Sequence, residues 1–314
     1  MAVTIALLVG ALALLYVGGE ALVRGASTLA SQLGVSALAI GLTVVAFGTS
    51  TPELAVSVDA ALAGAIDISV GNVVGSNIAN VTLILGLAAL IRPAVVQAKV
   101  VLLDTPLMIL ASVALVGVLA NGVASRLEGA LLVLGLAIYV VFTFWEGRRE
   151  SGRIRDEFSA AVPKSPTRAI WSVIFVLVGL GLLAGGGHLL VTVAVSLATS
   201  LGVSQATIGL TIVAVGTSLP ELATSVIASA RGQGDIAVGN VVGSNMFNIL
   251  GILGTTAVIH PLRLGGISVI DLGTMVAASG ALMILLYARH RLGRVAGSLL
   301  LASFVAYVGW LIAA

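Results

Sequence analysis

Apolar positions along this chain fall in long, nearly unbroken runs, with neither the alternation of a half-buried strand nor the single stripe of a surface helix. The runs cover residues 2–30, 36–60, 68–91, 100–120 and 127–145, then 169–198, 204–230, 235–258, 268–288 and 295–313. Each is close to the roughly 20 residues that an α-helix needs to cross the hydrocarbon layer. The pattern predicts an all-α membrane protein with ten transmembrane helices. Only one connection is long and polar, Glu146 to Arg168. It divides the chain into residues 1–145, a linker 146–168 and residues 169–314, with five spans on each side. The first run starts at Ala2 with no Lys or Arg ahead of it, so it lacks the positive segment of a secretory signal and reads as a permanent span.

Composition agrees and removes several function classes. The 314 residues are 59% hydrophobic and 9% charged, against roughly 25% charged in a soluble domain. There is no cysteine, which excludes disulfides, thiolate metal sites and cysteine nucleophiles. Three scattered histidines argue against zinc, and a net charge of +2 with no basic domain argues against nucleic acid. The bilayer is the expected surrounding, with no cofactor and a monomer as the working unit.

Charge placement gives a topology. With the N-terminus outside, the inner side collects Arg24, Arg92, Lys99, six basic residues of the linker, Arg231, Arg289, Arg291 and Arg294; only Arg126 and Arg263 face out. That is a strong positive-inside bias. It predicts a cell (plasma) membrane protein with both termini extracellular. Five spans being an odd number, the halves then run in opposite directions.

The halves also repeat one another at an offset of 168 residues. Gly34–Glu53 (GVSALAIGLTVVAFGTSTPE) and Gly202–Glu221 (GVSQATIGLTIVAVGTSLPE) agree at 14 of 20 positions. Gly71–Asn80 (GNVVGSNIAN) and Gly239–Asn248 (GNVVGSNMFN) agree at 8 of 10. The expectation is therefore two inverted-topology five-helix repeats whose repeated segments meet at one central site.

The repeated residues suit a hard cation. Glu53 lies near mid-span, where a carboxylate is costly unless it faces a partner or a wet cavity. Ala46, Thr49, Ser50 and Glu53 are three or four residues apart and share a helix face. Pro52 lacks an N–H and disturbs the preceding turn, loosening carbonyls near Gly48. In the second block Asn72, Ser76 and Asn80 form a polar stripe, while Gly71 and Gly75 permit close helix approach. The second half repeats this with Ala214, Thr217, Ser218 and Glu221, then Asn240, Ser244 and Asn248; Asn77 and Asn245 are secondary candidates. Carboxylate, hydroxyl and carbonyl oxygens are the donors that Ca²⁺ prefers. Taken singly, such features are ordinary: GxxxG is usually packing, an intramembrane Ser or Thr usually bonds its own helix, and a Pro is usually a kink. Their joint recurrence at one offset is what points to a site. Two glutamates match one Ca²⁺, the cavity could alternatively share several Na⁺, and with no fixed positive charge an anionic substrate is disfavoured.

At these residues the sequence resembles the sodium/calcium exchanger family of the cation/Ca²⁺ antiporters, whose two α-repeats look like GTSTPEL and GTSLPEL, each followed by GNVVGSN. The resemblance implies long, slanted first and sixth spans that slide across a core formed by the other eight. It implies that Glu53 and Glu221 are shared carboxylates, with Thr49 and Thr217 adding ligands for Ca²⁺. It implies one Na⁺ site from Ser50, Ser76 and the Ala46 carbonyl, another from Ser218, Ser244 and the Ala214 carbonyl, and a middle lined by Asn80 and Asn248. The implied stoichiometry is three Na⁺ for one Ca²⁺. Many relatives carry Asp where this chain has Asn248, so a third carboxylate is missing here, which argues against K⁺ dependence.

Other polar residues carry weaker signals. Glu20 and His188 are equivalent under the offset. Asp104 and Asp271 read as helix N-caps, and Asp59, Asp67 and Asp235 as loop residues. Trp145, Trp171 and Trp310 suit interface anchoring. The rivals are a Ca²⁺/H⁺ antiporter of the same fold, disfavoured by the Ser/Thr cage; a passive channel, disfavoured by the inverted repeat; and an intramembrane enzyme, which lacks a nucleophile or catalytic metal set.

Overall fold

The computed structural model describes residues 2–161, 169–200, 214–263, 267–287 and 291–313. Helix α1 runs Ala2–Leu33. A broken pair follows, α2 (Ala37–Thr49) and α3 (Thr51–Leu62), bent by 44°. Then come α4 (Ile66–Ile91), α5 (Val100–Leu119) and α6 (Arg126–Ala161). The second half has α7 (Ala169–Ser200), the short α8 (Ala214–Thr217), α9 (Leu219–Ala230), α10 (Gly234–Ile259), α11 (Val269–Tyr287) and α12 (Arg294–Ala313). Among the described residues eight helices are long and apolar enough to span a membrane, and α2–α3 makes a ninth broken span. Residues 204–213, the first part of the expected seventh span, lie outside the described residues. The segment expected as a polar linker begins as a continuation of α6, which stays helical to Ala161.

Glycine decides how closely the helices meet. On α1, Ala11, Gly18 and Gly25 recur every seven residues, as Ser172, Gly179 and Gly186 do on α7. A Cβ on Gly18 would lie 2.8 Å from the Leu183 nitrogen, one on Gly25 2.9 Å from the Ser172 carbonyl oxygen, and one on Gly179 2.6 Å from the Leu22 nitrogen. The two antiparallel helices thus touch backbone to backbone along their length, as small residues allow in lipid. Elsewhere Gly86 of α4 meets Gly297 of α12, and Gly129 of α6 meets Gly254 of α10. Adding or subtracting 168 converts one of these pairs into the other.

Two short antiparallel ladders close opposite ends of the bundle. β1 (Ala94–Val95) pairs with β4 (Arg291–Leu292), and β2 (Val123–Ala124) pairs with β3 (Leu262–Arg263). The β1–β4 end gathers the basic residues. Arg92 donates to the Ala230 carbonyl at 3.5 Å, Arg294 to the Leu90 carbonyl at 3.2 Å, and the buried Lys99 faces Glu146 at 3.6 Å. Arg263 and Arg126 belong to the β2–β3 end. Among the described residues, Arg92, Lys99, Arg231, Arg291 and Arg294 thus share one end of the molecule, and Arg126 and Arg263 the other.

Glu20 of α1 sits at the basic end between Arg24, at 2.9 Å, and Arg231, just past α9, with which it forms a second ion pair. About two helical turns further along α1, Ser27 donates to the Gln233 side-chain oxygen at 2.9 Å. The positions equivalent to Glu20, Ser27, Arg231 and Gln233 are His188, Val195, Ala63 and Ala65, which cannot repeat these bonds. Glu20→Gln removes both ion pairs. Partly exposed pairs contribute up to about 1 kcal/mol, so the melting midpoint in detergent is expected to fall by about 2 °C. About 1 M salt, which screens such pairs, should erase the difference.

Five acidic residues depart from the sequence reading. Asp271 belongs to a capping box, in which Ser268 Oγ accepts from Ile270 N (3.0 Å) and Asp271 accepts from Ser268 N (3.1 Å). Its other oxygen accepts from Tyr307 at 2.8 Å. Asp104 makes no capping bond; it ends a π-helical turn, Val100–Asp104, and is buried beside Tyr139. Asp59 lies within α3, and Asp67 and Asp235 occupy first helical turns rather than loops.

Candidate ion-binding site

The site is built where two helices break. Ser50, between α2 and α3, has φ −83° and ψ 5°; Ser218, between α8 and α9, has φ −85° and ψ 8°. Pro52 and Pro220 stand at the second position of the following helices, so the Gly48 and Gly216 carbonyls lack the amide that would normally meet them. Each break is followed by its glutamate, and both Glu53 and Glu221 are only 1% exposed. The Ala46 carbonyl already receives Ser50 N at 3.0 Å.

Hydroxyls of each break reach the carboxylate of the other. Ser50 Oγ donates to Glu221 Oε1 at 2.9 Å, and Ser218 Oγ lies 3.3 Å from Glu53 Oε1 and 3.1 Å from Ser76 Oγ. Ser244 lies beside Glu221. The sequence spacing thus brings together Glu53, Glu221, Ser50, Ser218, Ser76 and Ser244, all buried.

The asparagines divide into two kinds. Asn80 and Asn248 each donate, to Asn245 Oδ1 (3.0 Å) and Asn77 Oδ1 (3.3 Å). Their own Oδ1 atoms, like Glu53 Oε2 and Glu221 Oε2, are buried without a hydrogen-bond partner among the described residues. Such acceptors are costly unless something positive meets them. Asn77 and Asn245 act instead as supports, their amide nitrogens resting on Met275 Sδ (3.7 Å) and Met108 Sδ (3.4 Å). Asn72 and Asn240 have both ends of their amides engaged. The π-helical turns Asn80–Ile84 and Phe247–Leu253 begin at this level, a common accompaniment of functional sites.

Helix α10 can approach because of its glycines. A Cβ on Gly239 would lie 3.0 Å from the Leu38 carbonyl oxygen, and one on Gly243 2.5 Å from that of Leu42. The counterpart partners of Gly71 and Gly75, residues 206–210, lie outside the described residues. Ser57, Ser225, Met108 and Met275 escape sequence reasoning, although Ser57 and Ser225 repeat at the same offset. No group of three or more His, Asp or Glu able to hold a metal occurs among the described residues, so donors beyond the two carboxylates are neutral oxygens.

Broken helices that bring two carboxylates and neutral oxygens together inside a helical membrane bundle suit a cation transporter. The sodium/calcium exchanger protein family matches residues 3–145 and 171–313, and the chain belongs to that family. It is 40% identical over 313 residues to the putative antiporter CaxA of Alkalimonas amylolytica, covering 97% of each chain. It is 36% identical to the sodium/calcium exchanger MaX1 of Methanosarcina acetivorans, covering 95% of each. Among solved structures it superposes on the sodium-calcium exchanger NCX_Mj soaked with Na⁺ and Ca²⁺, with a TM-score of 0.85, 31% identity and 98% of each chain covered.

Proposed function

We propose that the chain exchanges Na⁺ for Ca²⁺ by alternating access at the site of Glu53 and Glu221, three Na⁺ for one Ca²⁺ and without K⁺. The observation that carries this reading is the set of four buried acceptor oxygens, on Glu53, Glu221, Asn80 and Asn248, that have no hydrogen-bond partner among the described residues. Oxygen-only ligation with a formal charge of −2 suits one Ca²⁺. Thr49 and Thr217 add oxygens for Ca²⁺. Ser50, Ser76 and the Ala46 carbonyl take one Na⁺; Ser218, Ser244 and the Ala214 carbonyl take another. Ten spans in two inverted repeats, 1–145 and 169–314 joined by residues 146–168, form the working unit, a monomer in the plasma membrane with the β1–β4 end in the cytoplasm and both termini outside. The exchange of contacts by the 168-residue offset and the clustering of basic residues at one end support that arrangement.

The test is ⁴⁵Ca²⁺ uptake into proteoliposomes loaded with Na⁺, at equal pH on both sides and without K⁺. Uptake that requires internal Na⁺ is the expected result. Uptake that ignores Na⁺ and follows an imposed pH gradient would retain the glutamates and move the assignment to Ca²⁺/H⁺ antiport.

A further inference from the structure

Asn72 and Asn240 are fully engaged, and their partners lie on both halves. Asn240 Nδ2 donates to the Glu221 carbonyl (3.3 Å) and to Ser225 Oγ (3.0 Å), and its Oδ1 accepts from Thr49 Oγ1 (3.1 Å). Asn72 does the same with the Glu53 carbonyl (3.2 Å), Ser57 Oγ (2.9 Å) and Thr217 Oγ1 (3.2 Å). An amide offers two donor hydrogens and one acceptor oxygen. Here the two donors grip the glutamate-bearing helix of the same half, and the oxygen takes the threonine that precedes the opposite break. The hydrogen-bonding groups sit in the dry interior, Asn240 being 0% and Asn72 7% exposed, where such bonds are strong and their loss is costly.

We infer that Asn72 and Asn240 are positioning residues: each fixes the distance between its own glutamate helix and the opposite helix break, and neither binds the cation itself. A cation held by Glu221 then pulls on Thr49 through Asn240, and one held by Glu53 pulls on Thr217 through Asn72. The two half-sites are mechanically linked by two crossed struts. This rests on the ion-exchange reading above for what the struts serve, though not for their existence.

Matched and mismatched double substitutions test it. Thr49→Val and Asn240→Ser each raise the Ca²⁺ concentration for half-maximal uptake, and combining them costs no more than the worse single change, a coupling of about fivefold or more. Thr217→Val with Asn72→Ser behaves alike. The mismatched pairs, Thr49→Val with Asn72→Ser and Thr217→Val with Asn240→Ser, multiply their effects. A residue that merely supported the fold would not separate matched from mismatched pairs. If all four pairs multiply, or if neither serine variant shifts half-saturation, the strut assignment fails. Should the serine variants not fold, Asn72→Asp and Asn240→Asp replace them under the same pairing rule. If the unsubstituted protein shows no Na⁺-driven uptake, the exchange reading fails instead. The same pairing is then read in melting temperature, where additive shifts in the matched pairs overturn the struts independently.

Discussion

Replacing Glu53 or Glu221 with Gln is expected to abolish Ca²⁺ uptake while leaving the fold intact. Glutamine keeps the volume and keeps an oxygen for Ser218 or Ser50 to meet. The shape of the site is retained, so the fold should survive the change. What it removes is half of the charge that compensates a divalent ion. Deleting one partner of a buried charge interaction costs about 3–5 kcal/mol, which is roughly two to four powers of ten in affinity. Half-saturation should move beyond accessible Ca²⁺ concentrations, with an unchanged elution profile on gel filtration. Near-normal exchange by either variant would refute a shared two-glutamate site. Asp at either position keeps the charge and shortens the reach by one methylene, so partial activity is expected there.

A second large effect should come from a residue with no side chain. A Cβ at Gly243 would sit 2.5 Å from the Leu42 carbonyl oxygen and 2.7 Å from the Leu42 Cα. These are backbone atoms, which cannot swing aside as a side-chain tip can. Overpacking usually costs about 1–3 kcal/mol, and a backbone obstacle belongs at the upper end. Gly243→Val should lower the melting midpoint by about 6 °C or more, and Gly280→Val, where nothing lies within 4 Å of the added atom, by far less. Gly243→Val should also impair transport beyond its effect on stability, because pushing α10 from α2 carries Ser244 away from the site. Equal melting midpoints for the two variants would show that α2 and α10 are not held this close.

Much of this was legible in the sequence because a membrane simplifies the problem. Lipid enforces helices, so apolar runs located the spans, and Pro52 and Pro220 located the breaks. Repetition at one offset points to Glu53 and Glu221 meeting at one centre, and the helix period puts Ser50 and Ser218 on the faces of their own glutamates, whereas in the structure each serine bonds the glutamate of the other half. What escaped depends on rotamers and on partners distant in the chain. The stripe Asn72, Ser76 and Asn80 looked like one ligand face, yet Asn72 turns toward the Glu53 carbonyl whereas the Asn80 oxygen stays without a partner. The period gives a face; neighbours decide which atom of an amide faces where. Asp104 read as a cap because the apolar run begins near it, but the helix starts earlier and carries Asp104 into the interior. The partner of Glu20 is Arg231, 211 positions away, and no local pattern announces it.

The clamp on α1 has a mechanical corollary. At the basic end this helix is tied to the loop after α9 by Glu20 and Ser27, and along the rest of its length it rides on α7 over a bare glycine seam. A rod pinned near one tip can turn only about the pin, so any displacement of α1 against the core would be smallest beside Glu20 and Ser27. Its pseudo-equivalent α7 has His188 and Val195 at the positions of Glu20 and Ser27. The pseudo-symmetry that relates the two long helices is therefore broken at the basic end, where one of them is held by polar contacts that the other half does not repeat with the same residue types. Because the fulcrum is partly ionic and the seam is not, the salt that surrounds the basic end sets how firmly that pivot holds.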